Sequence, residues 1–278
     1  KKKKKWTFLD FVNFLKTNKL NHLEFPIDLF SKIEKKKYEF YLNLLQKNKT
    51  KYVIDLEKFS IKKIKHLIKL RKKFKFDIVR VKMSNFFGGN RYKIDNFYQV
   101  KKKFYKDIIY CDKLKPKFQI VIENHQDLTS LELLKLVKLA KHNKISINWD
   151  IGNSLATAET PEFFFNKLKD HIINVHIKNY LIYDTKLGFC LKRIDLNNGV
   201  INLKKYIKYF HKRNIHQSIE LPAYKIRYCN FKLSKYLKSL SVKKNQATIF
   251  RNFLKDKSLK KSKIKIQHYS YKKEIEEF

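Results

Sequence analysis

Short apolar runs alternate with amphipathic stretches from residue 8 to about residue 220. Residues 23–27, 52–56, 77–83, 118–122, 146–149, 172–177 and 217–221 are strand-length runs, most of them rich in Ile, Val, Leu, Phe and Tyr. Several are apolar on consecutive positions, which is the pattern of parallel strands buried on both faces. The stretches between them follow helical spacing: Phe8, Phe11, Val12 and Leu15 share a face, as do Tyr38, Tyr41, Leu42 and Leu45. Thr7 with Asp10 and Thr129 with Glu132 read as capping boxes, and Thr160 before Pro161 as an N-cap followed by proline at the first helical position. Further helices are expected over 61–72, 93–111, 203–213 and 231–240. Residues 180–200 read as a long loop.

Strand and helix in strict alternation predict an α/β fold with parallel strands. Seven strands are visible and the chain starts in a helix. The expected architecture is therefore a TIM (β/α)8-type barrel whose first strand is missing or unrecognised. A doubly wound open sheet would hold its ligand at one switch point. Residues 1–242 are assigned to the barrel and 243–278 to a Lys-rich extension, peripheral and solvated.

Four of the runs end in a residue that binds metals or moves protons. These are Glu123, Asp150, His176 and Glu220, separated by 27, 26 and 44 residues. Oxygen and imidazole donors recurring at the carboxyl ends of successive strands predict one divalent metal ion at the mouth of a barrel. His125 and Lys178 follow Glu123 and His176 by two, so they face the same side if the strands continue. Asn153 reads equally as a ligand contact, a turn residue or an N-cap. Glu24 either lines the barrel or forms an ion pair. The Gly88-Gly89 pair reads as a flexible loop, and His22, His66, His142, His171, His211, His216 and His268 as ordinary helix or loop residues.

Composition changes the picture in two ways. The formal net charge is +40, yet only seven of the 65 basic residues are arginine. Arginine reads bases and clamps phosphates with its fork. A lysine-dominated charge predicts salt-dependent, non-specific adhesion and no specific nucleic-acid binding. Scarcity also makes Arg80, in the middle of a run, a candidate sugar or phosphate contact. Cys111, Cys190 and Cys229 are few, odd in number and far apart, which argues against a disulfide framework and for a reducing, cytoplasmic location. There is no signal-peptide pattern, and no apolar run approaches a membrane span. The chain opens on a lysine run without Met, so a trimmed N-terminus stays open.

The motifs Val-Ile-Glu123-Asn-His, Asn-Trp-Asp150-Ile-Gly-Asn, Val-His176-Ile-Lys-Asn and Ser-Ile-Glu220 resemble the xylose isomerase-like TIM-barrel superfamily, its sugar phosphate isomerase/epimerase branch above all. The resemblance is specific over about 118–222 and looser over 23–100. It implies that Glu123, Asp150, His176 and Glu220 hold one manganese, magnesium, cobalt or zinc ion, and that Glu123 and Glu220 are the acid/base pair. It also implies that His125, Asn153 and Lys178 contact substrate or support the ligands. The chain departs from the pattern at Asn174, where many members have a further His, and at Asn179, where Asp is common. The loop over 181–192 lacks an Arg that some ketose epimerases use.

The expected function is a metal-dependent isomerase or epimerase of a sugar or sugar phosphate. It would work by proton transfer alpha to a carbonyl, through an enediolate. A small-molecule sugar is the expected partner, and a homo-oligomer is compatible with the sequence. Three rivals stand beside this reading. A cyclic-polyol dehydratase would use the same barrel. An abasic-site endonuclease suits the charge, but Asn153 stands where a further His is needed, and Asp195-Leu196-Asn197 lacks the His of that family's Asp-x-His pair. A non-catalytic relic barrel suits the missing strand and the basic tail.

Overall fold

The computed structural model describes residues 7–27, 35–57, 59–72, 75–86, 89–220 and 226–259. In chain order the elements are α1 (Phe8–Thr17), β1 (His22–Pro26), α2 (Lys35–Lys47), β2 (Lys51–Asp55), α3 (Ile61–Leu70), β3 (Ile78–Val81), α4 (Phe97–Lys113) and β4 (Gln119–Glu123). Then follow α5 (Ser130–Leu139), β5 (Ile145–Asp150), α6 (Pro161–Leu168), β6 (Ile172–Ile177), β7 (Asn179–Thr185), β8 (Gly188–Ile194), α7 (Leu203–Lys212) and β9 (His216–Ile219). The chain continues through β10 (Arg227–Cys229), α8 (Ser234–Leu240), α9 (Lys244–Lys257) and β11 (Ser258–Leu259). Among the described residues no helix is long and apolar enough to cross a membrane.

The seven expected strands form one parallel sheet in the order β1-β2-β3-β4-β5-β6-β9. It curls into a nearly closed α/β barrel: His22 at the start of β1 meets His216 at the start of β9, with ring centroids 4.1 Å apart. No eighth strand joins these two edges among the described residues. His22 and His216 are thus strand residues rather than the helix or loop residues expected. The capping boxes at Thr7 and Thr129 are present, and Thr160 caps α6 with Pro161 at its start.

Period-two alternation sorts the strands into a polar inside and an apolar outside. On β5, Ile147 and Trp149 face the helices. Trp149 stacks on Phe164 of α6 at 5.8 Å and meets Tyr206 of α7 edge-on at 4.9 Å. The intervening Asn148 turns inward and accepts from Asn174 at 2.6 Å. The outward Ile, Val and Leu side chains join the buried core between sheet and helices, and the barrel interior is left to Glu24, Asp55, Arg80, Glu123, Asn148, Asp150, Asn174 and His176.

Two stretches differ from expectation. Residues 180–200 are not a loop: β7 and β8 pair antiparallel from Asn179↔Ile194 to Thr185↔Gly188, joined by Lys186 and Leu187. The connection lacks the Asn-Gly signal of a tight hairpin, and the run Asp184, Thr185, Lys186 reads as loop chemistry. Tyr180, Ile182, Phe189 and Leu191 bury the hairpin's apolar positions. It anchors a second sheet in the order β10-β8-β7-β11. The presumed solvated extension from 243 begins with a packed helix. Ala247, Phe250 and Leu254 of α9 are buried, and Phe250 lies 5.7 Å from Phe189 and 5.1 Å from Phe231. The rest of that extension, Gly88 and the end of the last predicted strand at Leu221 lie outside the described residues.

Candidate metal centre

Glu123, Asp150 and His176 come from the carboxyl ends of neighbouring strands β4, β5 and β6. Each offers a ligand atom, and all of these lie within 4.8 Å of one another in a buried group. In-register pairing of Asp150 with His176 explains the coincidence. Asn124, the middle residue of the Glu-Asn-His motif, fixes the top of β5: its carboxamide oxygen accepts the Asp150 N–H at 2.7 Å and its amide donates to the Asp150 carbonyl at 3.2 Å.

The surroundings orient these donors. His176 Nε2 lies 2.8 Å from Glu24 Oε2, which leaves Nδ1 buried and without a hydrogen-bond partner. A carboxylate on the far ring nitrogen is the usual support of a metal-binding histidine. Asn153 and Lys178 both donate to Asp150 Oδ2, and Oδ1 is buried without a partner. An orphaned carboxylate oxygen and an unpartnered ring nitrogen in a carboxylate-rich cluster are what a divalent cation would satisfy, the ion taking the place of the ring proton, and two carboxylates with one imidazole suit magnesium, manganese or zinc.

Glu220 stands beside the triad rather than within it. Its Oε2 accepts from Lys178 Nζ at 2.5 Å and lies 3.9 Å from His176 Nδ1, and its side chain is 40% exposed. Arg80, expected to touch substrate, instead neutralises three carboxylates. It pairs with Asp55 at 2.5 Å and donates to Glu24 and Glu123. Asn153 is occupied by protein: besides holding Asp150, its carbonyl oxygen accepts from Gln126 at 2.9 Å and from Arg227 at 3.2 Å. His125 is buried, with Nε2 4.0 Å from Glu123 Oε1.

The electrostatics follow from burial set against pairing. Burial pushes the Asp150 carboxyl up to about 7, against the pull of Lys178. Burial would lower the His176 ring, but the adjacent Glu24 outweighs it and raises the ring to about 9. Burial opposes ionisation of Glu123, and partial burial that of Glu220, yet Arg80 holds the first, and Lys178 with Arg193 the second, below the usual carboxylate range. Burial drives His125 down to about 4, so it is neutral near pH 7.

No family model matches the chain. A stretch of 61 residues is 39% identical to the uncharacterized protein YihM of Escherichia coli K12, covering 22% of this chain and 19% of that protein. Solved structures match over far more of the chain. The probable 3-DHS dehydratase AsbF of Bacillus anthracis superposes with a TM-score of 0.61 at 19% identity, over 78% of this chain and 88% of that one. D-psicose 3-epimerase of Clostridium cellulolyticum H10 gives 0.61 at 9% identity, over 91% and 94%. A xylose isomerase-like TIM-barrel protein of Mycobacterium smegmatis in complex with magnesium gives 0.57 at 14% identity, over 90% of each. The chain has the xylose isomerase-like TIM-barrel fold.

Within this xylose isomerase-like barrel, two participants, Arg193 and Arg227, escape the sequence reading, and a third, Glu24, fills both of the roles it offers. It lines the barrel while pairing with His176 and Arg80. Arg193 of β8 lies one residue past the loop read as lacking arginine. It donates to the Glu220 carbonyl, and its Nη1 is 3.6 Å from the Glu220 carboxylate. Arg227 of β10 donates to the Tyr180 hydroxyl at 3.0 Å, and Tyr180 carries both guanidiniums within 6 Å of its ring centre. The usable signal is the rarity of arginine, which marks Arg193 and Arg227 as much as Arg80.

Proposed function

We propose that this chain is a divalent-metal-dependent enzyme that moves a proton alpha to a carbonyl of a sugar or sugar derivative, as an isomerase or epimerase. The observation that carries the proposal is the buried Glu123–Asp150–His176 triad with its two unpartnered ligand atoms, Asp150 Oδ1 and His176 Nδ1. Those three residues would hold the ion, with Glu220, 3.9 Å from His176 Nδ1, as a further carboxylate beside them. When bound, the ion supplies a Lewis acid for charge developing on a carbonyl oxygen.

The chain's own groups supply the rest. Glu123 and Glu220 are held ionised by Arg80 and by Lys178 with Arg193, so either can accept a proton. Lys178, charged and wedged between Asp150 and Glu220, holds the second carboxylate near the first. Dehydration begins with the same alpha-proton abstraction and then expels a β-hydroxyl. A cyclic-polyol dehydratase therefore uses the same residues, and the likeness to AsbF keeps that reading beside the first.

The decisive experiment pairs metal analysis of the purified protein with proton exchange in deuterated water over a panel of ketoses, aldoses and inososes. One divalent ion per chain is expected. Asp150→Asn should lose it, and Glu220→Gln should weaken it and abolish exchange. Loss of water from the exchanging substrate would move the assignment to a dehydratase. A protein that binds no metal and is not stabilised by manganese is a relic barrel, and the enzyme reading then fails.

A further inference from the structure

We propose that the opposite end of the barrel, on the seam between β1 and β9, is a second binding site, for a small oxyanion of the phosphate type. The two seam strands are joined by no hydrogen-bonded ladder, since β1 pairs only with β2 and β9 only with β6 among the described residues. A cleft of about 480 Å³ opens there, at the amino-terminal ends of the strands, lined by His22, Lys49, Lys51, Lys75, Asp77 and His216. His216 begins β9, four residues before Glu220, so at ~3.3 Å per residue the cleft lies on the order of 13 Å below the metal triad.

The cleft has a built centre and not only surface lysines. His216 is 6% exposed, and neither ring nitrogen has a hydrogen-bond partner. A buried imidazole left unsatisfied on both sides is rare in a folded protein and calls for a ligand or bound water. His22 stands edge-on against it at 4.1 Å. The character of the ligand follows from charge. Three ammonium groups line the opening, and its one carboxylate, Asp77, is paired with Arg71 at 3.0 Å. A metal ion would meet that positive field, whereas an oxyanion is attracted by it. Burial lowers both rings, with Lys51 adding to it at His22 and Glu24 opposing it at His216, and a neutral imidazole offers one N–H donor to an anion oxygen. The source is the free ion or the end of a small phosphomonoester, and both present the same oxygens.

The test is calorimetric titration of the full chain with inorganic phosphate and, separately, with glycerol 3-phosphate. Sodium chloride balances ionic strength, because a chain of this charge responds to any salt. Saturable binding is expected, with imidazole resonances of His22 and His216 shifting in step. The exposed double variant Lys51→Ala/Lys75→Ala should bind at least about tenfold more weakly while keeping its metal at the other end of the barrel. Tighter binding of the ester identifies a monoester ligand, and equal binding identifies the free ion. Absence of saturation, unmoved imidazole resonances, or an unchanged affinity in the double variant overturns the site. Because metal content is read on the same samples, failure here is distinguishable from failure of the enzyme reading.

Discussion

Arg80 sits among Glu24, Asp55 and Glu123 with 9% of its surface exposed, so its removal strands three buried carboxylates. Breaking a buried ion pair from one side costs about 3–5 kcal/mol. Arg80→Met should lower unfolding free energy by at least that much in denaturant titration; a loss under about 1 kcal/mol would mean that the carboxylates take up protons at no cost. Glu159 shows the opposite balance. It is buried and accepts from Ser130 N at 2.9 Å, Ser130 Oγ at 2.6 Å and Thr157 Oγ1 at 3.2 Å, yet burial pushes its carboxyl up to about 7. A group raised on folding binds an extra proton in the folded state. Its stabilisation is fully present below the unfolded value of about 4.3 and is lost as pH rises through about 7. Glu159→Gln should therefore flatten the fall in stability across that window and gain on the wild type above about pH 7.5. A variant that is less stable at every pH would show that the anion is the preferred form. The ligand-type residues at strand ends were legible from sequence because each is local to its run. Partnerships such as Glu24 with His176, or Arg193 with Glu220, cross large stretches of chain, and no local pattern records them.

At the scale of elements, the seven barrel strands were readable because each couples an apolar outward face to a helix of matching stripe. The β7–β8 hairpin escaped because its burial depends on α9 and Phe231, far along the chain, and its turn residues, Lys186 and Leu187, carry no turn signature. The join between hairpin and barrel rests on Gly152, which follows β5 with φ +92°. A Cβ there would lie 2.7 Å from the Tyr180 ring and 3.0 Å from Ile201. Gly152→Ala meets both a left-handed backbone and a clash with β7, and should cost on the order of 1–3 kcal/mol. The ring of Tyr180 must move, and with it Arg227, whose partner is the Tyr180 hydroxyl. The expected signature is a drop in melting temperature together with weaker metal binding, since Asn153 beside it holds Asp150. Unchanged metal affinity in a destabilised variant would separate the hairpin from the centre.

For the molecule as a whole, the charge is distributed by the fold. The formal net charge is +40, and five of the 25 acidic residues, Glu24, Asp55, Glu123, Asp150 and Glu220, gather in or at the mouth of the barrel. Arg80, Lys178 and Arg193 nearly neutralise that cluster, so the net positive charge of the chain is carried by the rest of the molecule. Arginine is drawn inward as well: Arg80, Arg91 and Arg193 are buried, and Arg91 donates to the Asp127 carbonyl at 2.9 Å. What faces solvent is mostly lysine, a point charge without the fork that reads a base edge. Such a surface should bind duplex DNA through phosphates alone. With 6–10 contacts, affinity should fall about 10³–10⁵-fold between about 50 and 200 mM salt, with equal affinity for unrelated duplexes of equal length. Fluorescence anisotropy with two such duplexes checks both slopes at once. A preference above about tenfold for one sequence would contradict the argument, because it would require directional donors, and arginine supplies only seven of the 65 basic residues.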